Sequence, residues 1–203
     1  MLTTERVKYS YEEFIALIER LLSENKTTGE NHSEPYLHYT RMNLRRMNRI
    51  HKTMVIQPEL EAAVRSLEKS YTWLVLVEAW CGDVGQNLGA IARLAELNNH
   101  IDLTMVLRDE NLDLMDQHLT EGGRSIPKLV IVDSATHDVL ATWGPRPAPA
   151  QKMIREYKKM AEKPPYKVIA EKIQKWYSEN KTIVFQHEFL TMINDLKRRE
   201  SRE

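Results

Sequence analysis

The chain is poor in cysteine: of its 203 residues, Cys81 alone carries a thiol. That excludes an internal disulfide, and structural zinc sites rarely make do with so few thiolates. The seven histidines show no metal-ligand spacing, and His187-Glu188 lacks the second histidine of the zinc helix motif. No metal site is expected. An excess of either charge is missing too. Lys plus Arg number 29 and Asp plus Glu 29, so the formal net charge is zero and gives no overall pull toward nucleic acid or acidic membranes. Long apolar runs are absent. The longest, 73–77, is far too short to cross a bilayer, and Met1-Leu2-Thr3-Thr4-Glu5-Arg6 has no apolar core of a signal peptide. The expectation is a soluble, cytoplasmic protein with no nucleic-acid or membrane partner.

What is present suits one domain with extensions, long enough to bury a core without covalent staples. Ser10-Tyr11-Glu12-Glu13 reads as a capping box, followed at helical spacing by Phe14, Leu17, Ile18, Leu21 and Leu22. A polar loop around Gly29 leads to a second helix over about 36–55, with Leu37, Leu44, Met47 and Met54 on its apolar face. Pro58 opens a third helix, with Leu60, Val64 and Leu67 inward. The run 73–77 then reads as a central buried strand. A helix to about Leu97 follows, with a strand over 101–107 after it. The next helix is expected from a cap at Asp109, through Met115 and Leu119, to Gly122-Gly123. Strands over 128–132 and 139–143 and a helix from Ala148 complete the order. Beyond Pro164-Pro165 only helix is expected, interrupted at 178–181, with Thr182 able to cap the last piece. Phe185, Phe189, Ile193 and Leu196 make that last helix too apolar to remain in water.

The chemistry gathers where the first strand meets its helix, at Glu78-Ala79-Trp80-Cys81-Gly82-Asp83-Val84. Peptide N–H groups at a helix start stabilise a thiolate, and the thiolate is the nucleophile. Gly82 leaves the approach open. Ser125-Ile126-Pro127 stands immediately before a strand, where proline suits a tight turn. The Trp80-Cys81-Gly82 unit, this element order and Ile126-Pro127 together resemble the thioredoxin superfamily. The whole chain is similar to bacterial thioredoxin-like proteins with a Trp-Cys-Gly-Asp motif. The resemblance implies an α/β thioredoxin-like fold over 59–159, a central mixed sheet flanked by helices. Helical extensions would cover 1–58 and 160–203. It also implies Cys81 as the reactive residue and Trp80, Gly82, Asp83, Ile126 and Pro127 as the substrate-contacting set.

Two departures from thioredoxins matter. Val84 stands where they have a second cysteine, and Val75 stands six residues before Cys81, where they bury an aspartate. A dithiol cycle within one chain is therefore excluded. Two readings remain. In one, Cys81 is a monothiol redox nucleophile attacking a disulfide, sulfenic acid or peroxide. An external thiol such as glutathione, or a partner protein, then resolves it, and no bound cofactor is needed. In the other, the groove around Trp80, Ile126 and Pro127 binds protein or peptide without chemistry, and Cys81 is inert. The helix start argues for a thiol pKa below that of a free thiol, while Asp83 and Glu78 oppose it. Arg41, Arg45, Arg49 and Lys52 form a helical stripe with Arg46 beside it. Without interleaved aromatics it reads as a solvated face rather than a nucleic-acid surface.

Overall fold

The computed structural model describes residues 6–200. Of the residues read for a leader, Met1 to Glu5 lie outside it. Three helices come first: α1 (Tyr11–Ser23), α2 (Glu34–Thr53) and α3 (Pro58–Arg65). The alternating part follows as β1 (Tyr71–Val77), α4 (Gly82–Ala95), β2 (Ile101–Leu107), α5 (Leu112–Met115), β3 (Lys128–Asp133) and β4 (Val139–Trp143). The chain then turns helical with α6 (Ala148–Lys159), α7 (Tyr166–Asn180) and α8 (Ile183–Glu200).

The sheet runs β2-β1-β3-β4, with β1 parallel to β2 and antiparallel to β3, and β3 antiparallel to β4. The apolar run that marks β1 is what a strand with neighbours on both edges and cover on both faces requires. All of Trp73 to Val77 is buried. Tyr9 adds an antiparallel bridge to Met105, outside β2. The Ser10 box forms on both sides: Glu13 N donates to Ser10 Oγ at 3.2 Å, and Ser10 N to Glu13 Oε2 at 2.7 Å.

The element before Gly122 is shorter than its sequence suggests. Asp109 pairs with Arg108 instead of capping, and α5 is a single turn begun at Asn111. Asn111 folds its side chain back on Leu107 O, and Leu119 lies outside the helix, 40% exposed. At α8 the Asn180 side chain accepts from Val184 N at 3.0 Å, in the place expected for Thr182. Thr182 instead has φ 69° and receives Gln186 Nε2 on its hydroxyl.

Four helices outside the alternating part, α1, α2, α3 and α8, are built into the core. Phe14 and Ile18 of α1 are fully buried. From α8, Phe185 and Phe189 stack at 4.2 Å, Trp143 meets them edge-on, and Trp73 lies 6.0 Å from Phe189. The contact of α2 with α4 is closer still. A Cβ at Gly85 would lie 2.6 Å from Asn43 Oδ1, and one at Gly89 would collide with the Met47 carbonyl. Two glycines one turn apart let the helix backbones approach, which sets α2 beside the start of α4. By contrast, α6 and α7 share their own small cluster of Ala150, Ile154, Ile169 and Ile173. Among the described residues no helix is long and apolar enough to cross a membrane.

Candidate functional site

Cys81 is the N-cap residue of α4, at the end of the turn that follows β1. Its extended backbone (φ −76°, ψ 122°) aims the side chain across the helix start, where peptide N–H groups have no intrahelical partner. No cap hydrogen bond to the sulfur forms, but the nearby N–H groups of Val84 and Asp83 favour its thiolate. On the other side Sγ–H donates to Ile126 O at 3.3 Å. The Ile126-Pro127 peptide is cis and stands immediately before β3. The sequence-predicted pair of turns thus meets at the sulfur. Trp80, Gly82, Asp83 and Ile126 line the same groove as Cys81, while Pro127 is buried and does not line it.

The groove encloses about 850 Å³. One wall is α2, which supplies Tyr36, Tyr39 and Arg46; the other is α7, which supplies Tyr166 and Gln174. Trp80 packs against Tyr36 with ring centres 5.3 Å apart, and the Arg108 guanidinium lies 5.1 Å from the Trp80 ring centre. Gln174 approaches the open side of Gly82 and is held by Gln86 at 2.7 Å.

Asp83 does not face the groove as a free acid. Arg146 donates to its Oδ2 at 3.0 and 2.5 Å, and the Tyr177 hydroxyl donates to Oδ1 at 2.9 Å. The paired side chains of Arg146 and Asp83 are only 12% and 13% exposed. Burial works against the Arg146 charge, but Asp83 more than offsets it and holds the guanidinium above its ordinary pKa. Burial, then Asp83, raises Tyr177 well above the ordinary phenol. Arg146 stands between Pro145 and Pro147, in a stretch that reads in sequence only as a breaker. Tyr177 comes from a helix 94 residues beyond Asp83. No local pattern joins them.

Glu78 is fully buried. Its Oε1 accepts from Asp109 N at 2.9 Å, and Oε2 has no hydrogen-bond partner among the described residues. Burial raises its pKa, with the Thr28 hydroxyl and the Asp109 amide working in the opposite sense. Val75 is also fully buried, so nothing ionisable occupies that strand position.

These opposing influences overturn the expected direction for Cys81. Burial, and after it the Asp83 charge, push the thiol up to about 12; the Val84 and Asp83 amides and Arg146 act against them but do not prevail. The sequence shows the helix start and the acid, but not α2 and α7, which wall the groove on either side of Cys81. Among the described residues no group of three or more His, Cys, Asp or Glu side chains gathers as metal ligands.

The thioredoxin family's sequence profile matches residues 29–159, more than half of the chain. This chain belongs to the thioredoxin family. The match starts ahead of α2 and so takes in the helix that walls the groove. A protein of unknown function from Pseudomonas aeruginosa has a similar structure, with TM-score 0.57 at 17% identity, covering 92% of this chain and 98% of that one. An HIV epitope-scaffold protein, 4E10, gives TM-score 0.54 at 19% identity over the same shares. At such identities the likeness is one of fold. The search of curated proteins found no match.

Proposed function

We propose that this thioredoxin-family protein carries out monothiol exchange at Cys81, with an external thiol completing the cycle. The observation that carries the reading is the seat of the sulfur. It is a helix N-cap with two backbone amides nearby that favour the thiolate, hydrogen-bonded to the Ile126 carbonyl, on the wall of an open groove. Amides so placed stabilise a thiolate as it forms. The raised pKa means that the resting sulfur is a thiol. Exchange then requires proton loss as the substrate displaces the hydrogen bond to Ile126.

The test is reduction of a small disulfide with glutathione as donor. The chain is expected to accelerate it and the Cys81→Ser variant not to, since a hydroxyl is a far poorer nucleophile at neutral pH. With thioredoxin reductase and insulin alone, no sustained turnover is expected, because no second thiol is present to resolve the mixed disulfide. Equal rates for the chain and its Ser variant would contradict the proposal. A second reading, a groove that binds peptide without chemistry, is favoured by the burial that keeps Cys81 protonated. It predicts ligand binding unchanged by Cys81→Ser.

A further inference from the structure

The cations on the groove wall do not all have the same company. Five Lys or Arg side chains reach it. Arg108 pairs with Asp109, Arg124 with Asp116, Arg146 with Asp83, and Lys167 with Glu171 at 3.8 Å. Arg46 has no carboxylate partner among the described residues. Its guanidinium donates from Nη1 to Asn43 Oδ1 at 3.3 Å, a long bond to a neutral amide. Arg46 is nevertheless half-buried, between Arg49 on its own helix and the neighbouring Tyr39 phenol. A partly buried guanidinium that keeps most of its donors unused is a fork suited to a carboxylate or phosphate. Burial and Arg49 both act against its charge, so an anion placed there relieves an existing cost.

The position of Arg46 is fixed relative to the sulfur. Asn43, which receives its hydrogen bond, donates from Nδ2 to Ala79 O at 3.0 Å, two residues before Cys81. The same Asn43 meets the bare face of Gly85 in the first turns of α4. The groove therefore has a thiol and an unpaired cation in fixed relation, with aromatic rings of Tyr36, Tyr39 and Trp80 along its wall. Its volume of about 850 Å³ lies in the range of small-ligand clefts.

We propose that the groove selects small disulfides whose non-sulfur end carries a carboxylate or phosphate, with Arg46 receiving that anion. This rests on the exchange reading and names its substrate class. In the step itself, the Cys81 thiol loses its proton to solvent and the sulfur attacks one sulfur of an anionic disulfide. A Cys81–S–S–R bond forms, the R–S–S–R bond breaks, and the leaving thiolate takes up a proton. Reduced glutathione, the external donor of the exchange reading, then attacks the R sulfur of the mixed disulfide; the Cys81 thiolate leaves and takes up a proton, and R departs as a mixed disulfide with glutathione.

The experiment follows adduct formation at Cys81 by mass spectrometry with four disulfides: oxidised glutathione, coenzyme A disulfide, bis(2-hydroxyethyl) disulfide and cystamine. Each rate is divided by that of the same disulfide with a neutral free thiol, which removes intrinsic differences in leaving group. At low salt an anionic disulfide is expected to exceed the neutral one by about tenfold, the equivalent of one charge-assisted hydrogen bond. Cystamine is expected to fall below the neutral one. A preference for oxidised glutathione marks a carboxylate site and one for coenzyme A disulfide a phosphate site. Added salt should narrow the anionic-to-neutral ratio on the unaltered chain, and Arg46→Gln should bring it close to one. A ratio near one at low salt, or a ratio that Arg46→Gln and salt leave unchanged, would overturn the assignment while leaving exchange intact. Absence of an adduct with all four would overturn both.

Discussion

At Cys81 two amides and Arg146 favour the thiolate, while burial and Asp83 favour the thiol and prevail. The sign of the resulting pH effect follows directly. With the folded pKa pushed up to about 12, above the roughly 8.5 of an unfolded thiol, the protonated form is held more firmly in the native state. That contribution is fully present below about pH 8.5 and is lost as pH rises toward the folded value, by about 1.4 kcal/mol per pH unit. Urea unfolding of the chain and of Cys81→Ala at pH 7.5, 8.5 and 9.5 should show the difference between them shrinking above pH 8.5. Parallel curves would mean that the thiol titrates as if exposed. Arg146→Met makes a second residue-scale prediction. It leaves the Asp83 carboxylate buried beside one phenol, and breaking such a pair costs about 3 kcal/mol. Alkylation of Cys81 should slow in the same variant, because a cation that favours the thiolate is gone.

Among the elements, the tightest constraint is the α2–α4 contact. Gly89→Ala places a methyl group against the Met47 carbonyl. That backbone cannot rotate away, so α2 must shift, and overpacking of this kind costs about 1–3 kcal/mol. Thermal melting should show the loss, and Arg46 and Tyr36 should move with the helix. A wild-type melting temperature would show that α2 is free to adjust. Elements with a strong pattern were legible in the sequence. The β1 run and the Ser10 box each declare their partner through burial and spacing. Asp109 did not: a good capping residue was diverted by the adjacent Arg108, and the Glu78 carboxylate took its amide. Gly85 and Gly89 also passed as ordinary helix residues. What makes them necessary is a neighbouring helix that no local period reveals.

Over the whole molecule, the alternating core could be read because each strand and helix declares its own buried face. The groove could not, because it is assembled from helices on either side of that core. Trp80, Cys81, Gly82, Asp83 and Ile126 were recognisable as a set through the resemblance to thioredoxins that their two segments carry. Arg46 and Tyr166 reach the same groove from positions 120 residues apart, and only the packing of α2 and α7 brings them together. The C-terminal helix belongs to the fold in a different way. Phe185, Phe189, Ile193 and Leu196 are buried against the core, each worth roughly 1.5–3 kcal/mol. A chain ending at Asn180 would leave Trp73 and Trp143 without that cover. It should lose solubility or melt well below the full chain; an unchanged monomer would contradict the packing described.

The central claim is that the Cys81 sulfur, though protonated at rest, exchanges with a disulfide in the folded protein. The most direct measurement is the mass of the native chain after incubation with bis(2-hydroxyethyl) disulfide, then after excess reduced thiol, with the Cys81→Ser variant alongside. The account predicts one mercaptoethanol adduct on the native chain, none on the variant, and return to the starting mass with thiol. A native chain that gains no adduct, while the same chain unfolded in urea gains one, would contradict it.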